Sequence, residues 1–413
     1  MWWLLVAILG LLVFQSIWAN FWLLGISLLL IIMVMLLNRA WLWQATRTTV
    51  IRREMSEQAF RGDTLEVTVI VHNGGKLPLP WLVLQDIVPG GGLAADPRPE
   101  WLLSVRSEEK RRLDYKLECK RRGRYRLGPF EGSVGGLLDT QGKESGKRMT
   151  WGARSRLTVY PEIVPLEQLL LPSRLPLGNL RTRQPLLPDP SRIAGLREYQ
   201  SGDDPRYIDW RSTARLDQLL VKQFERTRFV PLAILLDLRP PSLAFTWRQV
   251  AEASVVVAAS LASRANQLKQ PFGLYSNGYD PGWEANPWDT TVPPEFGRPE
   301  MSPHSGTAWL YEMLDKLAGI EIRADAPPIE QLAGHWSSGL PWGATIALVS
   351  FEPYPALVTE IGRLRKAGYT VLAIFTGATG SSDEMLGAMY ALRTMGVTIH
   401  DITYPGELNL ARH

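Results

Sequence analysis

Residues 231–238 read PLAILLDL. An unbroken apolar run of this length, closed by Asp237, suits a strand buried on both faces, as in a parallel sheet covered by helices. The same alternation of apolar runs and amphipathic stretches continues to the end of the chain. Residues 246–268 have helical length and an Ala-rich face, FGLYSNG (272–278) reads as a strand, and TAWLYEMLDKLAG (307–319) as a helix. TIALVS (345–350), TVLAIFTG (370–377) and VTIHDITY (397–404) read as strands. Helices over 355–368 and 382–396 separate them, with Gly368 as a stop signal and Ser382 and Asp383 as candidate N-caps. This order predicts an α/β doubly wound, mostly parallel sheet. Ligands of such sheets meet the carboxyl ends of the strands, where Asp237 stands. Residues 279–306 and 321–344 break the periodicity. They read as long Trp- and Pro-rich loops, candidates for partner recognition.

Upstream the period changes to two. In TLEVTVIVHN (64–73), Leu65, Val67, Val69 and Val71 alternate with polar residues, and Asn73-Gly74-Gly75 supplies turn chemistry. WLVLQDIVP (81–89), RRLDYKLECKRR (111–122) and RLTVYP (156–161) continue the series. Short strands with Gly/Pro turns predict a small immunoglobulin-like β-sandwich over 45–160. Cys119, on the apolar side of its strand, reads as a core side chain. The basic stretches 120–126 and 146–156 are interleaved with Glu and Asp, and read as a solvated face or as contacts to anionic lipid. A Pro/Leu-rich linker follows at 161–195, and the α/β domain occupies 196–413.

The first 44 residues differ from both. Residues 2–18 and 21–37 carry no charge, and each run is near the lower length limit for a transmembrane helix. Only Ala19 and Asn20 separate them, which predicts a transmembrane helical hairpin. Trp2, Trp3, Trp18, Trp22, Trp41 and Trp43 fall at the ends of the runs, where indoles favour the headgroup layer. Arg39, Arg47, Arg52 and Arg53 follow the second run. The positive-inside rule therefore places both termini and the folded domains in the cytoplasm, at a cell membrane.

Composition excludes several classes. One cysteine permits no internal disulfide, and the five histidines are scattered without metal-ligand spacing. A formal charge of +4 over 413 residues gives no case for nucleic-acid binding.

GDDPRYIDWRSTAR (202–215) gathers three carboxylates, three arginines, a tyrosine and a tryptophan in one short run. Asp204-Pro205 is a helix-start signal, and LLVKQFER (219–226) then alternates as a strand expected beside 231–238. Asp203, Asp204 and Asp209 lie among Arg206, Arg211 and Arg215, next to Trp210. Neighbouring guanidiniums favour ionised carboxylates over proton donors, so the block reads as a structural set of ion pairs. A partner-binding surface is the alternative, and catalysis is disfavoured because no Ser/His pairing or phosphate loop stands nearby.

With an apolar N-terminal pair, KRRGRYRLGP (120–129) in the β region, GLREYQSGDDPRYIDWRSTAR (195–215), and a charged strand before an apolar strand ending in Asp, the chain resembles the bacterial domain-of-unknown-function 58 family. The resemblance covers nearly the whole chain, and 195–215 is its most specific part. It implies a von Willebrand factor A-like α/β domain and a MoxR-type AAA+ ATPase as partner, often alongside a transglutaminase-like membrane protein. It also implies a metal-ion-dependent adhesion site, in which Asp-x-Ser-x-Ser, a later threonine and a later aspartate hold Mg²⁺ with oxygen ligands. Here the first element is Asp237-Leu238-Arg239-Pro240-Pro241, Thr307 is the candidate threonine, and Ser350 stands where the aspartate is expected. The site is thus degenerate. No tight Mg²⁺ is expected, Arg239 is expected to pair with Asp237 in place of the cation, and Asp237, Ser242 and Thr307 remain as a set for weak binding.

The expected function is that of a membrane-anchored, non-enzymatic adaptor without cofactor, acting with the ATPase in assembly or maturation of envelope complexes. A hydrolase on a doubly wound sheet and a lipid-sensing module built on the basic β domain are the alternatives.

Overall fold

A computed structural model describes residues 2–135, 147–166, 193–200, 203–224, 230–239, 247–282, 298–322, 326–377 and 383–402. The chain divides into two compact units, Met1–Tyr160 and Pro161–His413. Most of the 161–195 linker, together with Ser242 and Ser382, lies outside the described residues.

The first unit begins with one helix, α1, Trp2–Thr48. The expected hairpin is not formed: the two apolar runs are joined in a single 47-residue helix. Ala is the best helix former and Asn only a weak one, so Ala19-Asn20 has no means to end a helix flanked by Leu- and Ile-rich turns. At 1.5 Å per residue α1 is about 70 Å long, more than twice the ~30 Å hydrocarbon core.

The helix leads directly into β1 (Thr49–Glu54), followed by β2 (Gln58–Phe60), β3 (Thr64–Asn73), β4 (Leu79–Asp86), β5 (Leu93–Asp96) and β6 (Glu100–Val105). Then come β7 (Lys110–Cys119), β8 (Gly123–Leu127), β9 (Phe130–Gly135), β10 (Lys147–Trp151) and β11 (Ser155–Tyr160). Two four-stranded sheets, β1-β3-β7-β5 and β10-β9-β4-β6, enclose one core, with β2-β11-β8 as a third, smaller sheet. The period-two pattern decides which side chains fill it: Val67, Val69 and Val71 of β3 meet Tyr115, Leu117 and Cys119 of β7 and Leu82 and Leu84 of β4. Arg53 is not a free basic flank. It is buried, forks onto Asp86 and lies over the Phe130 ring, while the Tyr115 hydroxyl donates to the same carboxylate at 2.8 Å.

In the second unit, β12 (Ile193–Glu198) pairs antiparallel with β13 (Leu220–Phe224) as a separate two-stranded sheet. The expectation that 219–226 adds to the strand at 231–238 is therefore corrected. Its partner is the strand on the other side of the charged block, which the intervening turn brings close. Between them lie a 3₁₀ turn, Pro205–Tyr207, and α2, Trp210–Leu216.

The main sheet holds β14 (Leu232–Leu236), β15 (Phe272–Ser276), β16 (Glu300–His304), β17 (Thr345–Ser350), β18 (Thr370–Phe375) and β19 (Thr398–Asp401). Its order is β16-β15-β14-β17-β18-β19, with every pair parallel except β15–β16. Helix α3 (Trp247–Gln267) has fully buried Ala251, Val255, Ala258 and Ala262 against one face, with α4 (Thr307–Gly319) packed beside it. Helices α5 (Ile329–Ser338), α6 (Pro355–Lys366) and α7 (Asp383–Thr394) cover the other face over Ala233, Leu235, Ile346, Leu348 and Ala373. Two elements come from stretches read as loops, β16 within 279–306 and α5 within 321–344. Both are short, and β16 contains Pro303, which an edge strand tolerates.

Candidate functional site

The parallel register places three residues side by side at the carboxyl ends of adjacent strands. Leu236 is level with Ser276 and with Val349, so the next residues, Asp237, Asn277 and Ser350, form a row. All three are buried. Asp237 Oδ1 accepts from Asn277 Nδ2 at 2.7 Å and from the Arg239 amide at 3.2 Å, and Oδ2 accepts from the Ser350 hydroxyl at 2.9 Å. Asn277 is held in one orientation. Its Oδ1 accepts from the Leu238 amide at 2.8 Å, and its second Nδ2 hydrogen goes to the Pro327 carbonyl at 3.0 Å. A flipped amide would set oxygen against two acceptors. One residue past the end of β18, Thr376 Oγ1 lies 2.7 Å from Ser254 Oγ of α3.

Burial pushes the Asp237 carboxyl above its usual range, and the bonds from Asn277, Arg239 N–H and Ser350 oppose that shift. Arg239 does not form the expected ion pair. Its guanidinium lies 5.4 Å from the centre of the Tyr354 ring, and only its backbone amide meets Asp237. The Tyr354 hydroxyl donates to Glu330 at 2.7 Å, and burial pushes its ionisation upward.

Thr307 does not join this site. It follows β16, the antiparallel strand, and the pairing of His304 with Phe272 puts it at the amino end of the parallel strands, a strand's length from Asp237. Both Asp237 oxygens are also already taken up by the protein, Oδ1 by the N–H donors of Asn277 and Arg239 and Oδ2 by the Ser350 hydroxyl. Such a donor set does not fit an oxygen-coordinated cation. Among the described residues no cluster of three His, Cys, Asp or Glu side chains has metal-binding geometry. Asn277 was missed in the sequence. The signal was available, since Asn277-Gly278 follows FGLYS at the end of the neighbouring strand, but an asparagine in that position reads equally well as a turn residue.

The charged block has a different internal logic from the one its composition suggests. Asp204 caps the 3₁₀ turn, accepting from the Arg206 amide at 3.0 Å. Asp209 caps α2, accepting from the amides of Arg211 and Ser212 at 3.2 and 3.5 Å. Asp203 makes a bidentate pair, at 2.6 and 2.7 Å, with Arg197 of β12. The Arg197 side chain thereby holds the Asp203 carboxyl below its ordinary range. Arg206, Arg211 and Arg215 pair with none of these carboxylates among the described residues. They are exposed, as is Trp210. The block is a set of helix caps with its guanidiniums turned outward, not a set of ion pairs among its own residues.

An uncharacterized protein YeaD of Bacillus subtilis (strain 168) is 27% identical over 197 residues, covering 45% of this chain and 46% of that protein. The chain thus matches about half the length of this relative. Among solved structures, the CARDB domain of the PF1109 protein from Pyrococcus furiosus aligns with 27% of this chain and 91% of its own, at 16% identity and a TM-score of 0.18. Native α2-macroglobulin of Escherichia coli aligns with 28% of this chain and 7% of its own, at 14% identity and a TM-score of 0.22. Residues 195–300, which hold the capped block, β14 and the Asp237–Asn277 contact, match the family described as Protein of unknown function DUF58.

Proposed function

We propose that the protein is a membrane-anchored, non-enzymatic docking protein. The observation that carries this is the Asn277–Asp237–Ser350 row. In this row the Asp237 carboxylate is buried with both its oxygens engaged by the protein's own donors, so among the row's residues no base or nucleophile is open to a substrate. A hydrolase reading would need Ser350 or Ser242 to meet a substrate; the Ser350 side chain is enclosed, and Ser242 lies outside the described residues. In chain order the sheet reads 3-2-1-4-5-6 with an antiparallel third strand, which supports a von Willebrand factor A-like reading of this domain.

The docking surface in this reading is the exposed arc of α2. Trp210, Arg211, Ala214 and Arg215 fall within about 140° of one another around the helix, with Arg206 one turn before. Arg and Trp are the side chains most often dominant at protein interfaces, and Arg pairs bidentately with carboxylates. The partner is a MoxR-type AAA+ ATPase presenting an acidic surface. Helix α1 anchors the chain, and Arg39 and Arg47 after the second apolar run favour a cytoplasmic location for both folded units. Two separate crossings would require α1 to open at Ala19-Asn20, which labelling of an N-terminal cysteine from either side of the membrane tests.

Co-purification of the full-length protein with a MoxR-type AAA+ ATPase, in ATP, ADP and no nucleotide, tests the docking. Retention that falls with Trp210→Ala or with Arg211→Glu plus Arg215→Glu supports the reading. Equal retention by every variant, or none by the wild type in any nucleotide state, overturns it.

A further inference from the structure

The junction between α1 and the β-sandwich has no linker. Leu37, the last residue of the second apolar run, is exposed, and contact with the domain begins at Trp41. The Trp41 indole donates to the Pro78 carbonyl at 2.9 Å, Ala45 is 1% exposed within the sandwich core, and the Gly74 amide donates to the Thr48 carbonyl at 3.0 Å. Asn73, fully buried, ties the region together. Its Nδ2 donates to the carbonyls of Leu77 and Arg106 at 2.9 and 3.0 Å, and its Oδ1 accepts from the Gly75 amide and the Thr48 hydroxyl. Two loops, 74–78 and 105–109, are thus fixed against the helix where its apolar surface ends.

Depth follows from helix geometry. From Leu37 to Trp41 is four residues, or about 6 Å along the axis. The headgroup layer beside a ~30 Å hydrocarbon core is about 5–8 Å deep. Trp41, and the Pro78 carbonyl bonded to it, fall inside that layer. The exposed cations around this end are Arg39 and Arg47 on α1, Lys76 on the first loop, Arg106 on the second and Lys110 at the start of β7. The facing acids are Glu108 and Glu109. The carboxylate of Glu109 is already engaged by the Arg106 amide and the Arg111 guanidinium, which hold its ionisation below the ordinary range. The basic run starting at Lys120 lies at the other end of the sandwich, about 30 Å away along β3, where Thr64 pairs with Glu118.

We propose that the end of the β domain nearest α1, formed by loops 74–78 and 105–109, is a docking surface for anionic phospholipid headgroups, so that the sandwich stands rigidly on the bilayer. The proposal rests on α1 crossing the membrane through its second apolar run, and needs nothing of the first. A basic side chain near an anionic surface draws anionic lipid with about 1 kcal/mol, or about a fivefold local enrichment.

The test uses the full-length chain in vesicles of phosphatidylcholine and phosphatidylserine, with a fluorophore on Leu28→Cys, Lys76→Cys or Glu118→Cys, since Cys119 is buried. Quenchers are a mid-chain nitroxide lipid and a headgroup nitroxide on either phospholipid. The label at 28 should be quenched by the mid-chain probe. The label at 76 should be quenched by the headgroup probe, up to about fivefold more by labelled phosphatidylserine than by labelled phosphatidylcholine. Arg106→Glu should reduce that preference. The label at 118 should be untouched by either probe. A label at 76 as unquenched as that at 118, with 28 quenched, overturns the surface and leaves the anchor standing. Quenching at 76 with equal response to both lipids overturns the anionic preference. No quenching at 28 removes the anchor, and the proposal with it.

Discussion

Replacing Asp237 separates a structural carboxylate from a ligand-binding one. Asp237→Ala removes an acceptor of three hydrogen bonds and strands one Asn277 Nδ2 hydrogen in a buried site. An orphaned buried donor costs ~1–3 kcal/mol, and the lost charge-assisted bonds add to this while relief of the buried charge offsets part. The net expectation is about 3 kcal/mol of local destabilisation. Asp237→Asn keeps one oxygen for Asn277 and the Arg239 amide and turns an amide towards Ser350 Oγ, which can accept. Its cost should stay within about 1 kcal/mol. Hydrogen exchange read by mass spectrometry over β14 and β17 measures both, since opening of these strands limits their exchange. The alanine variant should exchange roughly 100-fold faster and the asparagine variant close to wild type. The pH dependence carries a sign. Burial raises the folded carboxyl above its unfolded value, so its contribution is fully present below the unfolded range of about 3.9 and is lost as pH rises through the folded pKa. Wild type should therefore lose protection relative to Asp237→Asn as pH climbs through that range. Equal damage by alanine and asparagine would refute the reasoning. So would Mg²⁺ slowing exchange in wild type but not in Asp237→Asn, which would make the carboxylate a cation ligand.

Other outcomes follow from single contacts. Asp86→Ala leaves the Arg53 guanidinium buried without its fork and should destabilise the sandwich by about 3–5 kcal/mol, whereas Tyr115→Phe should cost about 1.5 kcal/mol, both read as exchange over β3 and β7. Asp209→Ala removes the α2 cap and should cost about 1 kcal/mol, seen as faster exchange over Trp210–Leu216. Asp217 closes α2 with φ of 54°, so Asp217→Gly should be neutral or stabilising by up to about 1 kcal/mol in the same measurement. The Cys119 thiol is buried and its pKa pushed up to about 11, so iodoacetamide at pH 8 should modify it only after denaturation.

Much of the α/β unit was legible in the chain itself. PLAILLDL could be a strand buried on both faces because every side chain before Asp237 is apolar, and helix 307–319 and strand 345–350 emerge with the bounds their periodicity suggested. The sandwich core was equally readable from β3, where alternation alone assigns Val67, Val69 and Val71 to the inside. Strand β16 and helix α5 were not, because both are short and set among Pro, Gly and Trp. Local pattern carries little weight there, and packing against the sheet decides the conformation.

The functional residues divide along the same line. Sequence by itself determined which side chains are available: an uncharged stretch long enough for a bilayer, one carboxylate at a strand end, and acids ahead of short helices as caps. Only the tertiary structure decided what each one meets. Strand register, a matter of pairing between distant segments, puts Asn277 and Ser350 beside Asp237 and sends Thr307 to the amino end of the parallel strands. Arg211 and Arg215 sit close to Asp209 in sequence, yet the carboxylate turns to backbone amides, because orphan N–H groups at a helix start need an acceptor more than exposed guanidiniums need a partner.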